Sequence, residues 1–266
     1  MLGIIGCGNM GQAMLTGILK NKLYEPSDVI VSHLDEEALK DIHDRLGVNT
    51  TTDNVKVAES ADVLLISLKP YQYADVIPDI ADVVDENKLV ISIAAGQTID
   101  SVMEYFGKAI HLVRTMPNTP ALVGAGATGM CFSDMVTEEE KKKAIDIFES
   151  FGIVSIVPES LIDTVIGVSG SSPAYVFMII EAMADAAVAD GMARADAYRM
   201  AAQSVYGSAK MVLETGKHPG ELKDMVCSPG GTTIEAVRVL EECGLRSAII
   251  EGQMACVAKA KEMSGK

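Results

Sequence analysis

The 266-residue chain predicts an α/β fold in two parts, a doubly wound parallel sheet followed by an all-helical domain. Two observations predict it. Up to residue 158 short apolar runs alternate with helix-like patterns, the β-α-β-α rhythm of a parallel sheet covered by helices on both faces. From Glu159 onward only helical patterns and turns remain. The expected domains are therefore 1–158 and 159–266.

Leu2–Ile5, Val29–Ser32, Val63–Ser67, Leu89–Ile93 and Ile110–Val113 read as buried strands, each short, apolar and bounded by Gly, Pro, Ser or Asp. Between and after them Met10–Asn21, Glu36–Leu46, Tyr71–Val84 (interrupted by Pro78), Thr98–Phe106 and Glu138–Phe151 read as helices. The run Glu138–Lys143 sets opposite charges three residues apart and reads as a solvated face. In the second half the helices are Pro173–Asp190, Ala195–Thr215, Gly220–Val226, Thr232–Cys243 and Ser247–Met263. Gly191 and Gly216 follow the first two, as left-handed helix stops do. Pro173–Asp190 is apolar on almost every face and so must be covered on every face. A domain of about a hundred residues struggles to do that alone, so a second subunit is expected to complete the burial.

The charge balance narrows the function. Lys and Arg number 22 against 37 Asp and Glu, a net charge of -15, which opposes binding to nucleic acid or to an anionic membrane. Anionic ligands must then be held by backbone N–H groups and a few local cations. Five scattered cysteines without a CxxC pair suit a reducing cytoplasm. The apolar start is too short for a secretory leader. No stretch reads as a membrane span, because Ala174–Val188 is interrupted by Glu181 and Asp185. His33, His43, His111 and His218 share no ligand spacing, so no metal is expected.

Gly6-Cys7-Gly8-Asn9-Met10-Gly11 fits G-x-G-x-x-G between an apolar strand and an amphipathic helix, the Rossmann-type dinucleotide fingerprint. The first glycine permits the turn, the second admits the pyrophosphate and the third lets helix and strand meet. The helix N-terminus then holds the anion without a basic side chain. The second strand ends at Ser32-His33-Leu34-Asp35. The acidic residue that reads a ribose 2′-OH is absent at Ser32, which leans toward NADP, with Ser32 and His33 as contacts to a 2′-phosphate. Asp35 comes a little late but could still oppose that phosphate. Lys69 ends a strand where ligands gather, and cofactor contact and plain surface exposure are both open for it. Cys7 and Cys227 flank Gly-rich turns and read better as small fillers than as reactive thiols.

Two turns in the second half invite a substrate. Ser228-Pro229-Gly230-Gly231-Thr232-Thr233 precedes a helix and can converge backbone N–H groups on a carboxylate, or can be an ordinary turn with an N-cap. Ser169–Tyr175 likewise opens the apolar helix, as a site or as a plain helix start.

Taken together, Gly6–Gly11, Lys69-Pro70, Ser92–Gly96, Arg114-Thr115-Met116-Pro117-Asn118-Thr119-Pro120, Ser169–Tyr175 and Ser228–Thr233 resemble the pyrroline-5-carboxylate reductases over nearly the whole chain. The resemblance implies hydride transfer to a cyclic imine carboxylate, 1-pyrroline-5-carboxylate, giving L-proline. It implies NADPH (or NADH) across Gly6, Cys7, Gly8, Asn9, Met10, Gly11, Ser32, His33, Leu34, Asn54, Ser67, Leu68, Lys69, Pro70, Ala94, Ala95 and Gly96. Substrate would lie on Ser171, Ser228, Gly230, Gly231, Thr232 and Thr233, with Thr233 as the catalytic hydroxyl nearest the imine nitrogen. The assembly implied is a homodimer at least, with a larger ring of dimers as the further option, and the helical domain is its dimerisation domain. Two departures stand out. His33-Leu34 replaces the family's usual Asn-Arg, which weakens the NADP assignment, and Ser172 replaces a usual glycine.

A cyclic imine needs little acid–base help, because its nitrogen is basic and protonation makes the ring carbon electrophilic. Hydroxyacid dehydrogenases place a lysine in the corresponding helix, whereas Tyr175–Ile180 contains none. A reductase of another imine or of a hydroxyacid, and a non-catalytic dinucleotide-binding regulator, are the competing readings.

Overall fold

A computed structural model describes residues 1–264. Eight strands form one sheet in the order β3-β2-β1-β4-β5-β6-β7-β8. They are β1 Leu2–Ile5, β2 Val29–Ser32, β3 Asn49–Thr51, β4 Val63–Ile66, β5 Leu89–Ser92, β6 His111–Met116, β7 Gly126–Phe132 and β8 Gly152–Ile156. All neighbours are parallel except β6 and β7, which run antiparallel. The chain leaves β1 toward β2 on one side and returns to β4 on the other, so the crevice between their C-terminal ends is the ligand position of such sheets.

The helices around the sheet are α1 Asn9–Lys20, α2 Glu36–Leu46, α3 Asn54–Ser60, α4 Tyr73–Ile80, α5 Ile99–Phe106, α6 Glu138–Glu149 and the short α7 Ile162–Val165. Successive side chains of a strand face opposite ways, and both sets are buried. Leu2, Ile4, Val31, Leu65 and Ile91 pack with Leu15 and Ile18 of α1, Ile42 of α2 and Phe148 of α6. Ile30, Leu64, Ile66 and Val90 pack with Val57 of α3, Ile77 of α4 and Phe106 of α5. Each such side chain contributes roughly 1.5–3 kcal/mol by leaving water. On the solvated face of α6, Lys141 pairs with Glu138 and Lys142 with Asp146.

Three strands and two helices, α3 and the four-residue α7, lay outside the sequence reading, each for a local reason. β3 is three polar residues at the sheet edge. β7 contains Gly126 and Gly129; a Cβ at Gly129 would meet Val165 side-chain carbons at 2.7 Å, so this strand is glycine-bearing because α7 lies directly on it. β8 is a half-exposed edge strand. α3 is only seven residues long and is capped by Asp53. β6 is also longer than the predicted Ile110–Val113, extending to Met116 through its pairing with β7. The segment around Pro78 is α4 flanked by single 3-10 turns at Pro70–Gln72 and Ala81–Val83.

After Val157 no strand occurs among the described residues. A 3-10 turn Glu159–Leu161, α7 and a π-helical turn Ile166–Gly170 lead to α8 Ser172–Ala189, α9 Arg194–Thr215, α10 Pro219–Val226, α11 Thr232–Glu242 and α12 Leu245–Met263. Gly191 (φ 96°) and Gly216 (φ 64°) adopt the left-handed stops predicted for them. The chain divides into two compact units, Met1–Ser171 with Cys256–Lys266, and Ser172–Ala255. Within the second unit α8 buries only Ala184, while Phe177 and Met178 are 62% and 69% exposed. One expectation is corrected here. The helical run Glu159–Ala189 is long and apolar enough to cross a membrane by length and composition alone, because the turns before α8 lengthen the stretch read from sequence.

In the first unit a buried cation ties β6 to the chain that follows the sheet. Arg114 is 1% exposed; its Nη1 donates to Glu159 Oε1 at 2.9 Å, and its Nη2 stands 3.6 Å from Asp163 Oδ1. The same Glu159 oxygen accepts the Ile99 N–H at the start of α5, and Asp163 accepts the Ser264 hydroxyl.

Candidate active site

The glycine turn sits at the end of β1. Gly6 has φ +83°, and a Cβ there would lie 2.9 Å from the Ser67 carbonyl oxygen and 2.6 Å from Leu68. Only glycine fits that backbone and that approach. Around Gly8 none of the described residues stands within 4 Å of where a Cβ would be. Gly8 is the N-cap of α1 with no side-chain hydrogen bond, and the first turn has no acidic residue. The first amides of α1 therefore face open space with the positive end of the helix dipole behind them.

Two adjoining clefts open there, sharing Gly8, Ser67, Leu68 and Lys69. The larger, about 620 Å³, is also lined by Asn9, Met10, Pro70, Ala94 and Ala95. The smaller, about 230 Å³, is lined by Gly6, His33, Leu34 and Asn54. No Asp or Glu lines either cleft among the described residues. Lys69 stands where both clefts meet.

Four residues of the expected cofactor set support the clefts rather than line them. Cys7 is fully buried, and burial pushes its thiol up to about 12 against a smaller opposite pull from Arg45, so it is a neutral filler. Gly11 lets α1 approach the turn, since a Cβ would stand 3.1 Å from the Gly6 carbonyl oxygen. The Ser32 carbonyl accepts the N–H groups of Gly6 and Cys7, and its hydroxyl donates to Asn54 Oδ1 at 2.7 Å. What Asn54 offers the cleft is therefore its N–H₂. Gly96 (φ +78°) lies against the Met263 carbonyl of α12.

The residues after β2 decide what charge the smaller cleft meets. Asp35 caps α2, accepting the N–H groups of Glu37 and Ala38 at 2.9 and 3.3 Å, and lines neither cleft. Its own N–H donates to His33 Nδ1 at 3.0 Å, which puts the neutral ring's proton on Nε2. His33 thus presents a donor, and Leu34 is 82% exposed.

Met116, Pro117, Thr119 and Leu122 also line the larger cleft, and Gln72 and Val76 the smaller. Sequence reasoning gave these no role. The signal was available: β6 follows β5 in the sheet, so its C-terminal end opens on the same crevice, and the Arg114–Pro120 block begins there. Beneath both loops the buried Tyr73 hydroxyl donates to the Ile66 carbonyl at 3.2 Å and lies 2.9 Å from Ser92 Oγ. That joins the ends of β4 and β5.

The expected substrate residues fall in both units. Ser171 closes the π-helical turn of the first unit; its N–H donates to the Ile166 carbonyl at 2.8 Å. Ser228–Thr233 belongs to the second. There Gly230 has φ +67°, the Gly231 N–H closes a turn on the Ser228 carbonyl at 3.1 Å, and Gly231 is the N-cap of α11 without a side-chain hydrogen bond. The only acidic residue of that first turn, Glu235, is held by Arg238, whose guanidinium lowers its pKa. The amides of Thr232 and Thr233 thus form an uncapped helix start, Thr233 is half-buried, and the nearby carboxylate is already neutralised.

Among the described residues no group of three His, Cys, Asp or Glu side chains could hold a metal ion. The donor set suits an organic dinucleotide: glycine, amide N–H groups, one lysine and apolar walls.

Comparison with known proteins agrees in both halves. Residues 159–263 match the family model described as pyrroline-5-carboxylate reductase dimerisation, and residues 1–96 match that described as NADP oxidoreductase coenzyme F420-dependent. A pyrroline-5-carboxylate reductase of Escherichia coli (strain K12) is 49% identical over 99% of this chain and 98% of its own. The solved structure of the reductase from Coxiella burnetii superposes with a TM-score of 0.93 at 38% identity, covering 99% of this chain and 98% of that one. The Plasmodium falciparum pyrroline carboxylate reductase, solved with NADP bound, gives 0.90 at 30% identity, covering 99% and 97%. With an anion-ready glycine turn and full-length similarity of this order, the chain belongs to the pyrroline-5-carboxylate reductase family.

Proposed function

We propose that the protein reduces 1-pyrroline-5-carboxylate to L-proline with NADPH, NADH being the weaker alternative. The observation that carries this reading is the uncapped start of α1 opening on two joined clefts with no carboxylate among their described lining residues. An NADP 2′-phosphate fits the smaller cleft, where His33 Nε2–H, the Asn54 N–H₂ and Lys69 are the donors at hand. The pyrophosphate fits the amides of Asn9 and Met10 beside Gly8, and the nicotinamide fits the larger cleft between Ala94-Ala95 and Met116-Pro117. Cofactor binding is thus assigned to residues 1–158, and substrate binding and dimerisation to 159–266.

When bound, the reduced nicotinamide supplies a hydride, and the residues of the chain do the positioning. The amides of Gly230–Thr233 hold the substrate carboxylate, Ser171 adds a hydroxyl, and Thr233 orients the imine nitrogen and supplies its proton. The exposed apolar side chains of α8 support a homodimer at least, a larger ring of dimers being the further option, because a helix apolar on all faces is stable only when covered. An acidic chain with five scattered cysteines and no CxxC pair suits a cytoplasmic enzyme.

The test follows NADPH absorbance with the cyclic imine, in parallel with NADH and with a 2-keto acid. Oxidation by the imine, faster with NADPH, is expected; turnover of the keto acid in its place, or binding without turnover, would reject the assignment. Thr233→Ala is expected to lower kcat/KM about tenfold or more, roughly 1.4 kcal/mol of transition-state stabilisation. An unchanged value would remove Thr233 from the mechanism.

A further inference from the structure

Met116, Pro117 and Thr119 of the block Arg114–Pro120 line the larger cleft, yet the block's most buried polar member after Arg114 and Thr115 has its side chain engaged elsewhere. Asn118 is 7% exposed. Its Nδ2 donates to the Ser169 carbonyl at 2.9 Å, inside the π-helical turn, and its Oδ1 accepts the Ala127 N–H of β7 at 2.9 Å. One side chain thus fastens the cleft wall, a sheet strand and the turn that ends in Ser171. The turn has little freedom left, since Ser169 Oγ donates to the Val165 carbonyl and the Ser171 N–H to the Ile166 carbonyl. π-Helical turns are rare and cluster at functional sites. From the other side, α12 brings Cys256 to the same serine, with Sγ donating to Ser171 Oγ at 3.2 Å.

We propose that Asn118 and Cys256 are positioning residues that hold Ser171 as a directed hydrogen-bond donor to the substrate carboxylate. The reasoning is one of proton placement. A hydroxyl has one proton and two lone pairs. Where the Cys256 thiol donates into one lone pair, the serine proton is left to donate elsewhere, and an anionic carboxylate is the acceptor it suits best. Asn118 fixes the backbone on which that hydroxyl is mounted. The assignment rests on the substrate reading of Ser171 given above.

A double-mutant cycle on the full-length enzyme tests it, read in kcat and KM for the imine and in KM for NADPH. Ser171→Ala is expected to lower kcat/KM for the imine about tenfold or more, as loss of a hydrogen bond to a charged group does. Cys256→Ala is expected to lower it about threefold or more, the worth of a neutral hydrogen bond, with KM for NADPH held within about twofold. Cys256→Ser, which restores a donor, should recover part of that loss. On the Ser171→Ala background Cys256→Ala should change nothing further. Asn118→Asp keeps the oxygen that accepts from Ala127 but sets an oxygen against the Ser169 carbonyl, and it should show the same non-additivity; should it not fold, the Cys256 arm decides alone. Independent, additive losses, or a harmless Cys256→Ala beside a damaging Ser171→Ala, would overturn the positioning role while leaving Ser171 in the site. A harmless Ser171→Ala would instead overturn both the positioning role and the reading beneath it.

Discussion

Gly8→Ala is expected to fold as the parent does and to bind NADPH about ten- to a hundredfold more weakly. The added methyl meets none of the described residues within 4 Å, so the folded state loses no packing and gains no strain. The space it fills is the space in front of the α1 amides. Pushing a pyrophosphate back from those donors forfeits one or more charge-assisted hydrogen bonds, each worth roughly 1.5–3 kcal/mol. Gly6→Ala is the contrasting substitution. At φ +83°, with the Ser67 carbonyl 2.9 Å away, it strains the backbone and displaces the β4 loop, so its thermal midpoint should fall as well. Fluorescence titration with NADPH beside a thermal melt separates the two. A Gly8→Ala protein with unchanged cofactor affinity would mean that the pyrophosphate does not lie on this turn.

Arg114→Leu is expected to destabilise the protein by about 3–5 kcal/mol, the usual consequence of removing one member of a buried ionic group. The guanidinium is 1% exposed and faces Glu159 and the fully buried Asp163, so its loss leaves buried negative charge without the cation that balances it. Because Nε and Nη2 have no hydrogen-bond acceptor among the described residues, the arrangement is far from optimal, and Asp163→Leu added to Arg114→Leu should recover part of the loss. Denaturant unfolding reads both variants, with the midpoint shifting at constant slope. A change below about 1 kcal/mol for Arg114→Leu would show that water or rearrangement satisfies the carboxylates.

How much of this was legible beforehand follows from which physical signals are local. β1, β2, β4 and β5 were readable because both their faces are buried, which makes them continuous apolar runs. β7 and β8 were not. Gly126 is glycine because Ala121 and the Phe151 carbonyl approach it, and Gly129 because Val165 of α7 does, facts of the tertiary structure that look like a loop in sequence. The fingerprint Gly6–Gly11 was legible because its three glycines do three different things within six residues. The role of Asp35 was not, since a carboxylate that caps α2 and one that reads a ribose look alike until its acceptor bonds are known. Met116 and Leu122 escaped for a related reason: apolar residues at a cleft and apolar residues in a core have the same sequence signature.

The first unit is discontinuous in sequence, and this has a consequence for how the protein is made. Gly96 in the loop after β5 rests on Met263, and Asp163 accepts the Ser264 hydroxyl, yet all of residues 172–255 are synthesised in between. Emerging from the ribosome at roughly 5–20 residues per second, the sheet can be laid down long before its last neighbours exist. The loop after β5 is therefore among the final parts of the chain to settle, completed only at the close of translation.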